Sequence, residues 1–396
     1  MDLSFCAIVK DEELTLPKCL GSVKDLVDEL VILDTGSSDR TPEIAREYGA
    51  RVYDFPWGND FAAARNESLK YVKGDWVLVL DADEVLVGEK ISQIKEVIKR
   101  EHHLLINLVR QEIGASQSPY SLVSRLFRNH PEVKFSRPYH AMVDDSIAEI
   151  IGREPEWQVG ELPGVAILHD GYRQGAIAAK NKRERARLAM ESYFAQNPKD
   201  VYVCSKLGGL YVESGQVAKG IKLLKRGLKS PARDGLLSYE LHYHLGIAYR
   251  QQEELAKAKK HYQKAVELEI LPQLKLGAWN NLGGLLKDEG DLVGAKNAFL
   301  RALKIDGNFA TGFYNLGMTL KAMGVFGEAI ACYEQAIKLN PNYAEAYQNL
   351  GVVLLKVGRV RESLEGFKRA IALHEKANSP EAKRLREGLK SMGFVV

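Results

Sequence analysis

Cysteine is scarce. Cys6, Cys19, Cys204 and Cys332 are scattered through 396 residues with no Cys-x-x-Cys pair. That spacing excludes a disulfide framework or a zinc knuckle and fits buried thiols in a reducing compartment. An excess of charge of one sign is missing too. Fifty-five basic against 52 acidic side chains leave +3, which argues against nucleic acid or a membrane surface as the main partner. Long apolar runs are absent. Leu3 to Val9 is too short for a signal-peptide core and is cut off by Lys10-Asp11-Glu12-Glu13. No run approaches membrane-spanning length. Met1-Asp2 offers no myristoylation site, and the tail Gly393-Phe394-Val395-Val396 offers no prenylation cysteine. The expectation is a cytoplasmic protein without a transmembrane segment. What is present is an ordinary 45% of hydrophobic residues, enough for real cores, in a chain long enough for two or three domains.

The two halves have different grammars. In the first, short apolar runs alternate with helical patterns. Strands are expected at Leu3–Val9, Glu29–Leu33, Arg51–Asp54 and Trp76–Leu80. Helices are expected at Leu16–Leu26, at Thr41–Tyr48, where Thr41-Pro42 reads as an N-cap followed by proline, and at Phe61–Tyr71. This alternation predicts a parallel, doubly wound sheet with helices on both faces. Further strands are expected at Leu104–Arg110, Ser124–Arg128 and Val165–Leu168. In the second half, Leu-Gly pairs recur at Gly208, Gly246, Gly283, Gly317 and Gly351, in steps of 38, 37, 34 and 34. Pro231 and Pro272 lie in the two longer turns. Thirty-four residues is the period of the tetratricopeptide helix–turn–helix unit. The internal positions agree: Ala295, Phe299 and Ala302 return as Ala329, Tyr333 and Ala336, and Trp279, Phe313 and Tyr347 stand ahead of their Leu-Gly pairs. Small residues would let paired helices approach while aromatic rings fill the gap, and each unit would need its neighbours to bury its face. The expected layout is an α/β domain at 1–175, a linking helix at 176–200, about five repeats at 201–376, and a capping helix with tail at 377–396.

Three segments suggest chemistry. Asp81-Ala82-Asp83 follows the fourth strand, placing carboxylates at a strand's carboxyl end, where open α/β sheets bind ligands. Residues two apart share one side of extended chain, and two hard oxygen donors suit Mg²⁺ or Mn²⁺, which can in turn hold a diphosphate. The alternative is an acidic loop in which Glu84 is one more solvated charge. Asp34-Thr35-Gly36-Ser37-Ser38-Asp39 follows the second strand and suits either contact with a nucleoside or a plain βα turn. Arg65, in the helix opened by Asp60, suits a phosphate by its planar fork or is an exposed helical arginine.

Taken together, Cys6 to Glu13, Val31 to Asp39, Asp60 to Asn66 and Gly74 to Glu84 resemble the family 2 glycosyltransferases of the GT-A (nucleotide-diphospho-sugar) fold. The closest likeness is to the bacterial branch that carries tetratricopeptide repeats. The resemblance covers residues 1–175 at motif level and the repeats extend it. It implies a GT-A α/β domain followed by an all-α repeat solenoid, and a metal-dependent, inverting hexosyltransferase using a nucleotide sugar, typically a UDP-sugar. It implies that Asp34 recognises the base, that Arg65 steadies the diphosphate or base, that Asp81 faces the ribose and metal side, and that Asp83 ligates Mg²⁺ or Mn²⁺. Ile167-Leu168-His169-Asp170-Gly171-Tyr172 is similar to the family's late His-x-Gly-Tyr segment, in which the histidine closes the metal site; imidazole favours Mn²⁺. The repeats would hold a glycan or polypeptide acceptor, or a protein partner.

The chain departs from the family at the base. Ser124 to Asn129 matches, but where relatives carry His-Glu this chain reads His140-Ala141. Asp144, Asp145 and His140 are the candidates for the group that takes the acceptor's proton, with Asp144 or Asp145 preferred. The opposing expectation is a repeat scaffold on a catalytically degenerate domain. The basic cluster Lys180, Lys182, Arg183, Arg185 and Arg187 reads as the solvated face of the linking helix or as an approach to a diphosphate or acidic acceptor.

Overall fold

The fold is that of a computed structural model. It describes every residue except 1, 116, 171–175, 232–233 and 395–396, and only the backbone of 176–183. The chain divides into two compact units, Met1–Ala115 with Pro119–Leu210, and Ser116–Ser118 with Tyr211–Val396.

The first unit is built on an eight-stranded sheet: β1 Leu3–Val9, β2 Glu29–Asp34, β3 Arg51–Asp54, β4 Trp76–Val79, β5 Glu84–Leu86, β6 His103–Glu112, β7 Tyr120–Arg128 and β8 Gln158–His169. Helices α1 Leu16–Val23, α2 Thr41–Glu47, α3 Phe61–Leu69, α4 Ile91–Val97, α5 Asp144–Arg153 and α6 Ala176–Gln196 join or follow the strands. The strand order is β3-β2-β1-β4-β7-β6-β8-β5. The first four strands are mutually parallel, as their unbroken apolar runs predict. The doubly wound expectation needs correcting beyond them. β7 runs antiparallel to both β4 and β6, β8 is parallel to β6, and β5 closes the far edge antiparallel to β8. The sheet is therefore mixed. One core packs Phe5, Leu20, Ile32, Trp76 and Leu78 on one face, and a second packs Val31, Val77, Phe127, Phe135 and Ile147 on the other.

One helix start differs from expectation and another agrees with it. Thr41 is the first helical residue of α2, so Arg40 stands in the capping position, and Asp39, one residue earlier, accepts the Thr41 N–H at 2.9 Å. Asp60 caps α3 by accepting from the Ala63 N–H at 3.0 Å.

The second unit holds α8 Val217–Leu228 and the helix pairs α9 Gly235–Gln251 with α10 Leu255–Glu267, α11 Leu276–Asp288 with α12 Leu292–Ile305, α13 Ala310–Ala322 with α14 Phe326–Leu339, and α15 Ala344–Lys356 with α16 Val360–Lys376. α17 Glu381–Ser391 packs on α16. α7 Val201–Glu213 begins in the first unit. Four of the five Leu-Gly glycines meet a buried ring sixteen residues on: Gly246 meets Tyr262, Gly283 Phe299, Gly317 Tyr333 and Gly351 Phe367. A Cβ would lie 2.7 Å from the Phe299 ring at Gly283, 2.8 Å from Tyr333 at Gly317 and 3.1 Å from Phe367 at Gly351; at Gly246 it would be closer still to Tyr262. The turns within pairs are left-handed, at Gly290 (φ 85), Gly324 (77) and Gly358 (81). In the α9–α10 pair that place is taken by Glu253, at φ 58.

Candidate active site

Asp81 and Asp83 lie beyond the end of β4, in the segment that crosses from the middle of the sheet to its far edge. Because this segment turns, the two carboxylates do not share one side as extended chain would have them; they take different partners. Asp81 stays with its own strand's neighbours. Its Oδ1 accepts from Arg65 Nη2 at 2.6 Å and its Oδ2 from Arg125 Nη2 at 2.9 Å. Burial alone would push Asp81 up, but Arg125, Arg65 and Arg110 hold it well below the usual carboxylate range. Arg65 is buried, with Nη1 donating to the Ala141 carbonyl at 3.3 Å and its guanidinium 5.2 Å from the Phe135 ring centre. Burial, then the charge of Arg125, lowers it to about 10. An exposed helical arginine is thus excluded.

Arg125 carried no assigned role in the sequence. Asn107 of β6 pairs with Ser124 and Ile106 with Leu126, so Arg125 is the extra residue of a β-bulge. Bulges re-aim side chains near functional sites, and this residue meets Asp81. Glu84 is not the solvated charge that the sequence offered as an alternative. It is fully buried, receives Arg110 Nη1 at 2.8 Å, and accepts the Asp81 N–H at 2.9 Å.

Asp83 goes to the other side of this cluster. The β5–β8 register sets Glu84 opposite His169, and Asp83 Oδ2 lies 3.1 Å from His169 Nε2. The other ring nitrogen, Nδ1, lies 2.5 Å from Glu112 Oε2, while Glu112 Oε1 pairs with Arg110 at 2.8 Å. Burial opposes charge on the ring, but hydrogen bonds to Asp83 and Glu112 raise His169 to about 10. The ring lies between two carboxylates, one at each nitrogen. The expected pair Asp83–His169 is therefore brought together across 86 positions. Among the described residues no group of three or more His, Cys, Asp or Glu side chains is arranged to hold a metal ion. A carboxylate oxygen facing a histidine whose other nitrogen is fixed by a second carboxylate does fit a metal bound through few protein donors. Gly171 and Tyr172 of this motif, and Lys180, Lys182 and Arg183, lie outside the described side chains.

Asp34 is buried at the end of β2, and its carboxylate accepts the Gly36 N–H at 3.3 Å, the Ser37 N–H at 3.0 Å and the Ser37 hydroxyl. The loop after β1 is stitched to this turn, since Asp11 Oδ1 accepts from the Ser38 N–H at 2.7 Å.

The three candidate bases have different surroundings. His140 is exposed and left-handed, at φ 52. Asp145 is half exposed and paired with Arg137, whose Nη1 lies 2.7 Å from its Oδ2. Arg137, itself buried and left-handed at φ 75, also reaches Asp200 at 2.9 Å. Asp144 opens α5; its Oδ1 accepts from Ser124 Oγ at 2.9 Å, and its Oδ2 is buried with no hydrogen-bond partner. Burial pushes Asp144 up. Ala141 presents its carbonyl to Arg65.

A glycosyl transferase family 2 model matches residues 4–160, and tetratricopeptide-repeat models match 239–270, 276–309, 319–358 and 344–381. The chain belongs to the family 2 glycosyltransferases that carry tetratricopeptide repeats. It is 44% identical over 301 residues to a TPR repeat-containing protein of Synechococcus elongatus, covering 76% of this chain and 75% of that one. It is 28% identical over 188 residues to the SPbeta prophage-derived glycosyltransferase SunS of Bacillus subtilis, covering 45% of this chain and 42% of that relative. Among solved structures, MamA aligns with a TM-score of 0.39 at 25% identity, over 44% of this chain and 97% of MamA. No described helix is long and apolar enough to cross a membrane.

Proposed function

We propose that the first unit transfers a hexosyl group, with inversion, from a nucleotide sugar with UDP as its nucleotide, and that the repeats hold a glycan or polypeptide acceptor or a protein partner. The observation that supports this most is the meeting of Asp83 with His169 beside the Arg65–Asp81–Arg125 cluster. In this reading Asp83 and His169 hold Mn²⁺ or Mg²⁺, and Glu112 keeps the imidazole turned toward it. When bound, the metal neutralises charge on the departing diphosphate. Arg65 and Arg125 fix Asp81, and Asp34 faces the base. Asp144 accepts the proton of the acceptor hydroxyl or thiol as that oxygen or sulfur bonds the anomeric carbon and the sugar–phosphate bond breaks. Its raised pKa and unpartnered Oδ2 suit a base; Asp145, tied up by Arg137, suits one less.

A second reading, a repeat scaffold on a silent transferase domain, draws on Ala141 standing where the family has its glutamate. Calorimetric titration with a panel of UDP-sugars and Mn²⁺, together with donor hydrolysis, separates the two. Metal-dependent binding that Asp83→Ala abolishes is the expected result. Absence of binding by any nucleotide sugar with metal present sinks the enzyme reading.

A further inference from the structure

The near balance of charge over the whole chain hides a local excess. α8, α10 and α12 together carry eleven cations, nine of them lysine, against a single acid, Glu267. The corresponding helices of the later pairs do not share this bias. α14 has Lys338 against Glu328 and Glu334, and α16 has four cations against three acids. A solvated helix face ordinarily mixes the two signs, as α16 does, so the excess belongs to the leading second helices. These helices lie in one layer. α8 and α10 both pack on α9, and α10 and α12 both pack on α11, while α11, α13 and α15 touch one another directly.

The cations stand together in space and face outward. On α10, Ala258, Tyr262 and Ala265 are buried, while Lys257, Lys260 and Lys264, three and four residues apart, are exposed on one side. Lys222 and Lys225 of α8 are exposed in the same way beside buried Ile221 and Leu224. The Lys225 and Lys257 ammonium groups lie 5.5 and 5.3 Å from the centre of the Tyr249 ring, so the two helices meet over one tyrosine. His261, stacked on that ring at 5.4 Å, registers the field: burial, then Lys264, Lys225 and Lys260, lower it to about 4. Apolar side chains stand in water among these charges. Leu255 of α10 is 38% exposed, and Val293 and Leu300 of α12 are 63% and 44% exposed. Val293, Leu300 and Lys304, seven and four residues apart, share the outward side of α12.

We infer that the layer of α8, α10 and α12 docks on an anionic lipid bilayer. Lysines on long flexible stems answer the diffuse field of many headgroups, whereas one fixed phosphate is better met by the planar fork of arginine. The exposed Leu255, Val293 and Leu300 enter the headgroup boundary between the charges, as the apolar residues of interfacial helices do. Nucleic acid matches this surface less well. Single strands need rings to stack on, and the tyrosine and phenylalanine of these helices, Tyr262 and Phe299, are buried against glycines of the first helices.

The test uses the full chain, sedimented with vesicles of equal parts phosphatidylglycerol and phosphatidylcholine, and with vesicles of phosphatidylcholine alone, at 50 and 200 mM salt. The expected result is saturable binding to the anionic vesicles that weakens with salt, and little binding to the neutral ones. The quadruple variant Lys222→Gln, Lys225→Gln, Lys260→Gln, Lys264→Gln, all at exposed positions, should bind the anionic vesicles about tenfold or more weakly while keeping the wild-type circular dichroism. Removing as many charges from α16, with Arg361→Gln, Lys368→Gln, Arg369→Gln and Lys376→Gln, should leave binding unchanged. Equal sedimentation with both kinds of vesicle, or none with the anionic ones at 50 mM salt, overturns the inference on the wild-type protein alone. Equal losses in the two quadruple variants overturn it too, since net charge rather than this layer would then decide binding. Release from the vesicles by RNA at a phosphate concentration below that of the lipid overturns it in favour of nucleic acid.

Discussion

Replacing the Leu-Gly glycines by alanine, one repeat at a time, should produce a graded loss of stability. The new methyl group meets the face of a fully packed ring, at 3.1 Å from Phe367 for Gly351→Ala, 2.8 Å from Tyr333 for Gly317→Ala, 2.7 Å from Phe299 for Gly283→Ala, and closer again to Tyr262 for Gly246→Ala. Overpacking a close-packed core costs about 1–3 kcal/mol, and the gain in helix propensity from glycine to alanine returns about 1 kcal/mol. The net effect should run from about 0 for Gly351→Ala to about 2 kcal/mol for Gly246→Ala. For a unit of this size, 2 kcal/mol lowers Tm by roughly 4–8 °C. Far-UV circular dichroism melts of the four single variants measure the order, and chemical denaturation should give the same order by midpoint. If Gly246→Ala melts with or above Gly351→Ala, ring-against-glycine packing does not hold the helix pairs together.

Four further outcomes are expected. Glu253→Gly should stabilise by about 0.5–1 kcal/mol, because the left-handed backbone at φ 58 costs a side-chain-bearing residue about 1–2 kcal/mol, less the extra freedom of glycine in the unfolded chain; a melting curve checks it. Asp144→Asn should abolish transfer yet raise stability at neutral pH. Burial raises the folded-state pKa of Asp144, so the wild type suffers no penalty below the unfolded pKa and loses stability as pH rises through the folded one; the variant's advantage should grow over that window in melts taken across pH. Ser124→Ala removes the hydroxyl donor to Asp144 Oδ1, which should move the acid limb of the pH–rate profile upward, whereas an unmoved limb would exclude Asp144 as the base. Arg137→Ala strands Asp200 and Asp145. Stranding a buried charge costs about 3–5 kcal/mol, and half-exposed Asp145 should bring this toward the lower end, measured by urea unfolding.

The parallel half of the sheet was legible because strands covered on both faces are written as unbroken apolar runs, as in Trp76 to Leu80. The antiparallel half was not, since strand direction is decided by what each strand finds beside it. Nothing local in Glu84-Val85-Leu86 says that it crosses to pair with β8. The same non-locality hid Glu84, which resembles a surface charge until Arg110 is placed against it. The place of Arg125 was not legible, because an alternating pattern cannot show a bulge. The motifs single out Arg65, Asp81, Asp83 and His169, which the fold draws into the pairs Arg65–Asp81 and Asp83–His169, but the division of Asp81 and Asp83 between different partners was not legible. α5 carries an ordinary amphipathic start, with two acids in its first turn ahead of Ile147 and Ile150.

The sixteen-residue offset from glycine to ring works as a gauge on each hairpin. It is constant from Gly246 to Gly351, while the interval from ring to next glycine stretches, from Tyr262 to Gly283 being longer than from Phe299 to Gly317. The surplus length at Pro272 falls in that elastic interval, and the one at Pro231 lies between α8 and α9. Inserting even one residue inside a hairpin would rotate the ring away from its glycine, whereas additions between hairpins leave every lock closed. This array can thus lengthen and diversify at one set of its loops while the other set stays fixed.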